Sequence, residues 1–345
     1  MSSASKKRTT IRDVARRAQV APITVSRVVN NTGYISPDTR QRVEAAIQEL
    51  NYIPNALAQS LRYQKTNMVA LIVTDITNPF WTTVARGVED ACNEHDVNVI
   101  VCNTDERQNK LENYINLLLQ RQIDGLIVVP TEGYTGSMLE NLYTNHVPSI
   151  ILDRVLPNWD KHTVVRSDSV LGGYLLTKHL LDLGHRRIML LSGSDNVSTG
   201  VERAEGYKRA LLEAGLPLEP ELMSFGKFTQ HSGYELAVHM LKDIHPRPTA
   251  IVTANNFIAF GAQTALDEYG VRIPDDISLT TFDDLPEQIN PRPFLTSVIQ
   301  NPYYMGQEAA QRLIARLEDS DAPVEEVIVP VTLIVRRSSG PPATA

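Results

Sequence analysis

Residues 22–30, PITVSRVVN, put hydrogen-bonding side chains on one side of a short helix and valines on the other. Pro22 can open a helix. Advancing 100° per residue from it, Val25, Val28 and Val29 fall together, and Ile23, Arg27 and Asn30 fall opposite, with Thr24 and Ser26 on the flanks. Arg can bond a guanine edge at two points, Asn an adenine edge, and Ser or Thr a phosphate. Such a face suits the reading of DNA bases; a three-helix bundle with an ordinary polar face is the alternative. Thr10, ahead of the preceding helix, is grouped with these candidates. No other stretch offers a reaction centre. G-x-x-x-x-G-K-[ST], G-x-G-x-x-G and G-x-S-x-G do not occur. SGSD at 192–195 lacks the spacing of a nucleophile elbow, and the eight His show no metal-ligand spacing with Cys92 or Cys102. Neither catalysis, cofactor nor metal is expected.

The elements that position this face follow from local signals. One helix runs from about Ile11 to Gln19, with Asp13 placed for a capping box behind Thr10. Another starts at SPDTR, where Ser36 caps, Pro37 takes the first turn, and Val43, Ala46, Ile47 and Leu50 make the apolar stripe. QVAP joins the first helix to the second, which is the outline of a helix-turn-helix. Charge agrees. Residues 1–65 hold eleven Lys or Arg against four Asp or Glu, whereas the remainder holds 22 against 36. A basic head on an acidic body suggests a polyanionic partner for the head alone. With 345 residues the chain has room for two or three domains. No run approaches the ~18 apolar residues of a membrane span. MSSASKKRTT has no apolar segment after its basic residues, and two cysteines fit a reduced cytoplasm, so a cytoplasmic protein is expected.

From Asn67 onward, short apolar runs such as MVALIV, VNVIV and DGLIVV alternate with amphipathic segments of helical length, and the pattern restarts at LGGYLLTKHLLDLGH. Alternation of this kind builds parallel sheets wrapped by helices, and two rounds of it suggest two α/β lobes facing across a cleft. Between head and body lies IPNALAQSL. Asn55 can cap a helix there, with Leu57 and Leu61 on one face, but two turns are marginal alone in water. It should order only against a partner; a linker helix docked on its own domain is the bland alternative.

TIRDVARRAQVAPITVSRVVNNTGYISPDTRQRVEAAIQELNYIPNALAQSL resembles the head of the lac repressor family of transcription regulators, and TVSRVVN and TRQRVEAAIQELNYIPN are specific to it. DITNPFW, DGLIVVP, LGHRRI, ERAEGY, IPDDISLTTFDD and PFLTSV stand at the places of that family's effector domain. The resemblance implies an N-terminal all-α helix-turn-helix head at 1–54, followed by a hinge helix and linker at 55–66. It implies a C-terminal two-lobed α/β domain with parallel sheets, like periplasmic binding proteins. The first lobe would be 67–167 with 297–329 and the second 168–296 with 330–345, the chain crossing near 167, 297 and 329. Base reading would fall to Pro22, Ile23 and Arg27. The first two lack donors suited to this, so they would meet thymine methyls or shape. Ala21 stands where many members have Ser or Thr, which puts a phosphate contact there in doubt. Asn55, Ala58, Gln59 and Leu61 would lie in the minor groove at the centre of a palindrome, with Leu61 as the wedge. Unstacking a step costs a few kcal/mol, offset by contact area on bent DNA.

The family's ligand positions fall on Phe80 and Trp81, Asp153 and Arg154, Thr199, Arg203, Phe228, Asn255 and Asp283. Where the family often has Asn-Asp, this chain has Asn255-Asn256. The implied effector is a sugar or sugar acid, with a purine-like ligand second. The tail RRSSGPPATA lacks the leucine heptad that makes tetramers in some members, so a homodimer on a double-stranded operator is expected. A solute-binding receptor would share the body but not the basic head, and a sugar-modifying enzyme would need catalytic residues. The effector's identity, the sense of its action and the operator are not legible in the residues.

Overall fold

The computed structural model describes residues 9–53, 65–134, 136–156, 161–286 and 288–343. The chain divides into two compact units, 1–66 and 67–345.

The first unit holds three helices, α1 (Ile11–Ala18), α2 (Pro22–Val29) and α3 (Pro37–Glu49). The Asp13 carboxylate accepts from the Thr10 N–H at 3.0 Å and from its Oγ1 at 2.6 Å, which fixes the start of α1. Gln19 ends that helix in the left-handed region, φ 54°. Ser36 Oγ accepts from the Thr39 N–H ahead of α3. Val14, Ala15 and Ala18 pack with Val25, Val28, Val43 and Ala46 in one small core. Val29, expected on the buried side, is only half buried. The core is the contact of one face from each helix.

The second unit contains two six-stranded sheets. The first has the order β11-β5-β4-β3-β1-β2, from β1 (Met68–Val73), β2 (Asn98–Asn103), β3 (Gly125–Val128), β4 (Ser149–Leu152), β5 (Thr163–Ser167) and β11 (Glu326–Val329). All its neighbours run parallel. The second has the order β12-β10-β9-β8-β6-β7, from β6 (Ile188–Ser192), β7 (Met223–Phe225), β8 (Ala250–Thr253), β9 (Ser278–Phe282), β10 (Thr296–Ile299) and β12 (Thr332–Ile334). Its β12 runs antiparallel to β10.

Each sheet is buried on both faces. In β1, Val69, Leu71 and Val73 enter the core beside α4 (Pro79–Asn93), whereas Ala70 and Ile72 enter the one beside α5 (Gln108–Gln120). This two-residue alternation inside a continuous apolar run is the mark of a strand covered above and below. The second sheet is covered likewise by α7 (Ser169–Asp182), α8 (Ser198–Glu213), α9 (Gln230–Asp243) and α10 (Asn256–Glu268). The short α6 (Ser137–Thr144) lies beside β4.

The chain crosses between lobes after β5, after β10 and after β11. Helix α11 (Pro302–Glu318) follows the second crossing and packs on the first sheet against α4. The two helices come very close: a Cβ on Gly87 would stand 2.1 Å from the Tyr303 carbonyl oxygen. The second crossing, expected near 297, falls beyond Ile299, because Thr296–Val298 still pairs in register with Thr280–Phe282. The strand β5 was not marked by the apolar alternation. Its short TVVRS run is a strand because β4 and β11 bond it from both sides. The C-terminal stretch also departs from a loose polar tail. The Ser338 hydroxyl donates to the Leu279 carbonyl and accepts from the Thr296 N–H, and the side chain is wholly buried.

Candidate functional site

In the first unit, α2 turns Val25 and Val28 inward and leaves Pro22, Ile23 and Arg27 exposed, with Ile23 54% accessible. Thr24, Ser26 and Asn30 are half buried. Arg16, Arg17, Arg40 and Arg42 are each held by an acid of the same unit, at Asp13, Glu49, Glu44 and Asp38. Arg27 makes no ion pair among the described residues. Its charge therefore needs no partner broken to reach a ligand. Two expected contributors are otherwise engaged. Thr10 donates its hydroxyl to Asp13, and the Asn30 amide donates to Ser26 Oγ at 3.2 Å. Asn55, Ala58, Gln59 and Leu61 lie outside the described residues.

In the second unit, a cavity of about 650 Å³ opens between the lobes at the carboxyl ends of the strands, where parallel α/β sheets bind ligands. All nine positions singled out in the body line it: Phe80, Trp81, Asp153 and Arg154 from the first lobe, and Thr199, Arg203, Phe228, Asn255 and Asp283 from the second. Phe80 and Trp81 meet edge to face, centroids 4.8 Å apart, and also belong to the core beneath.

Arg203, on α8, is 5% accessible. Its guanidinium lies 3.8 Å from the Phe282 ring centroid and donates to the Ala254 carbonyl at 2.5 Å. Its Nε has no hydrogen-bond partner among the described residues. Burial pulls its pKa down, against the pull of Asp283, Asp153 and Glu202. Asp283 follows β9 and accepts from Gln300 Nε2. Burial raises its carboxyl pKa to about 6, the nearby Arg203 opposing the rise. Asp153 follows β4, and burial pushes it up in the same way, against Arg203 and Arg154. Both aspartates have left-handed backbone, φ 66° and 67°, a conformation that costs a non-glycine residue energy and collects at functional sites.

Arg154 lines the cavity but is committed to Glu106, with contacts of 3.0 and 2.5 Å, and to the Pro130 carbonyl at 2.8 Å. It orders the first lobe's loops more than it offers a free charge. The Asn255 side-chain oxygen caps α10 by accepting from the Ile258 N–H at 2.9 Å, which leaves its amide donors for the cavity.

Sequence reasoning missed several lining residues. Gln300 is one; its Oε1 is buried without a partner among the described residues. Its place at the carboxyl end of β10 was the available signal. Glu132 is another, and the hydroxyl of Ser194, in the SGSD segment that reads as a loop over the cleft, donates across the mouth to Glu132 Oε1 at 2.5 Å. Lys227, beside Phe228, also lines the cavity. Nearer the crossings, Ser198 Oγ accepts from the Val155 N–H at 3.0 Å, and Arg166 bonds Glu202 at 3.1 Å.

Among the described residues no cluster of His, Cys, Asp or Glu could hold a metal ion, and no helix is long and apolar enough to cross a membrane.

Comparison with known proteins bears on both units. Residues 10–55 match the family of bacterial regulatory proteins of the lacI type, and residues 66–337 match the periplasmic binding proteins and sugar-binding domain of the LacI family. The chain is 34% identical to the HTH-type transcriptional repressor PurR of Haemophilus influenzae strain PittEE, over 95% of this chain and 98% of that one. The PurR repressor of Pasteurella multocida strain Pm70 is also 34% identical, with the same coverage. Among solved structures, the lac repressor dimer bound to operator and the anti-inducer ONPF superimposes with a TM-score of 0.83, at 28% identity, covering 97% of this chain and all of that one. The complex of the transcriptional regulator CelR with cellobiose gives 0.72 at 30% identity, covering 96% and 100%. The chain thus belongs to the LacI family of bacterial regulatory proteins, DNA-binding transcription regulators rather than enzymes.

Proposed function

We propose that this chain is a cytoplasmic repressor that binds a palindromic operator as a homodimer and is controlled by a neutral sugar held between the two lobes. The observation that carries the effector reading is the pattern of unspent hydrogen-bonding capacity in the cavity. Among the described residues Arg203 Nε is an unpartnered donor and Gln300 Oε1 an unpartnered acceptor, while Asp153 and Asp283 offer buried carboxylates. Hydroxyl groups satisfy donors and acceptors together, and Trp81 and Phe228 supply apolar faces for a ring.

Charge narrows the choice. Six acids and four bases line the cavity, and Arg154 is held by Glu106. A further negative charge from a sugar acid would add to this excess, so a neutral ring is favoured over a uronate. Relatives agree in kind, since CelR was solved with cellobiose and a LacI-family regulator of Enterococcus faecium with ribose.

On DNA, Arg27 bonds a guanine, Ile23 contacts thymine methyls, and residues 55–61 order as a hinge helix in the minor groove with Leu61 as wedge. The effector then shifts the operator equilibrium only by its differential affinity for the two states. The test is calorimetric titration of the purified protein with neutral pentoses, hexoses and disaccharides, with uronates and with purine bases, alongside operator binding in the presence of each. Micromolar binding of one neutral sugar that also changes operator affinity is expected. Binding confined to uronates or to purines overturns the effector reading, and loss of operator binding in every condition overturns the regulatory one.

A further inference from the structure

Asn78 and Asn256 are 178 positions apart and belong to different lobes, yet their side-chain amides bond each other in both directions. Asn78 Nδ2 donates to Asn256 Oδ1 at 3.1 Å, and Asn256 Nδ2 donates to Asn78 Oδ1 at 3.3 Å. The side chains are buried, 7% and 1% accessible. Each oxygen also serves its own lobe. Asn78 Oδ1 accepts from the Phe80 N–H at 3.0 Å at the start of α4, and Asn256 Oδ1 accepts from the Phe257 N–H at 2.8 Å at the start of α10. Those two N–H groups fix which way round both amides stand, since a flipped amide would turn a donor toward a donor. Two helix starts from opposite lobes are thereby held head to head through one reciprocal pair.

We propose that this amide pair is an interlobe clasp that couples occupancy of the cavity to the angle between the lobes. The clasp borders the cavity directly: Asn78 lines it, as do Phe80 and Trp81 after it and Asn255 before Asn256. A ligand seated against these residues rests on the two helix starts that the clasp joins. Burial makes such a pair two-state: formed, or broken with both Nδ2 donors to be satisfied elsewhere, since each oxygen keeps its backbone N–H. The identity of residue 256 matters here. An aspartate could accept from Asn78 but has no proton to return, so only an amide gives both bonds. The coupling to a ligand rests on the cavity being the effector site; the clasp between lobes does not.

The test is hydrogen–deuterium exchange on the purified full-length chain with no ligand added, comparing wild type with Asn256→Ala, Asn78→Ala, the double variant and Asn256→Asp. The expected result is action at a distance. Asn256→Ala accelerates exchange at least tenfold in peptides covering 80–84 of the first lobe, and also at 193–198 on the cleft mouth. The double variant is no worse than either single one, and Asn256→Asp restores part of the protection. Changes confined to the helix start that carries the substitution would overturn the clasp, because that is what loss of a helix cap alone produces. Additive single effects, or an aspartate variant indistinguishable from alanine, would also overturn it. Where Asn78→Ala fails to fold by circular dichroism, Asn78→Ser keeps a capping oxygen for α4 and takes its place. Since no ligand is used, failure of the clasp leaves the sugar reading standing, and a chain that binds no sugar leaves the clasp standing.

Discussion

Asp153 and Asp283 hold the same post in the two lobes. Each follows the third strand of its sheet, each has left-handed backbone, and each N–H donates to the next strand, at Val165 and at Val298. The repeat places one buried carboxylate on either side of the cleft. That arrangement works against stability at neutral pH. A group whose folded pKa is raised stabilises the fold below its unfolded value and loses that contribution as pH rises through the folded one. For Asp283 the window runs from about 4 to about 6, and above it the cost is about 2–3 kcal/mol. Asp283→Asn is therefore expected to raise the melting temperature by several degrees at pH 8 and by little at pH 4.5. It should also weaken sugar affinity at least tenfold, the usual exchange between stability and a built site. Thermal scans across pH, paired with calorimetry, check both halves. A variant less stable at pH 8 than at pH 4.5, each relative to wild type, contradicts the assignment. The natural companion is Arg203→Ala, which removes the unpartnered donor and should abolish sugar binding while leaving operator affinity without sugar within about twofold.

At the scale of elements, legibility followed how local the cause was. The helices α1, α2 and α3 were readable because caps, prolines and valine spacing sit within a few residues of one another. The strands β1, β2 and β3 were readable as apolar runs between turns. By contrast β5 is made a strand by its neighbours, and residues 336–340 join the second lobe through serine hydroxyls, for which no apolar pattern exists. Gln300 was missed because the crossing was placed near 297, inside β10, so that the strand's carboxyl end was not seen at 299. Nothing in the one-dimensional pattern brings Asn78 to Asn256. The outward face of α2 carries the prediction at this scale. Arg27 is exposed and makes no ion pair among the described residues, so Arg27→Lys keeps the charge and removes only the planar two-point donor. Affinity for the specific operator should fall about tenfold to a hundredfold, with non-specific binding and the salt slope almost unchanged. An equal loss on specific and random DNA would mean that Arg27 touches phosphate instead. Leu61→Ala tests the hinge in the same assay: weaker operator binding with unaltered sugar affinity is expected, and damage to both would undo the division of labour between head, hinge and cavity.

Across the whole molecule, the second lobe is closed by the chain's own C-terminal stretch, and two histidines hold it there. His185 is 1% accessible. One ring nitrogen lies 2.8 Å from the Gly340 carbonyl and the other 2.8 Å from Thr249 Oγ1. The carbonyl can only accept, so Nε2 carries a proton, and in the neutral ring that burial favours Nδ1 is left to accept from the threonine hydroxyl. His179 Nε2 lies 2.8 Å from Ser339 Oγ on the same stretch. Burial is the first cause that lowers both histidine pKa values. The sign follows directly. The unfolded chain takes up these protons first, near pH 6.5, so their contribution to stability is present above that pH and is lost as pH falls. Asp283 acts in the opposite sense over an overlapping range, and the raw melting curve mixes the two. Asp283→Asn together with Asp153→Asn as background removes the opposing titration of both cleft aspartates. On that background the melting temperature should fall steadily from pH 7 to pH 5, and adding His185→Asn, which does not titrate, should flatten the slope whatever it does to the absolute value. A slope unchanged by His185→Asn would show that the acid sensitivity arises away from the C-terminal stretch, and that its attachment to the second lobe does not depend on the neutral ring.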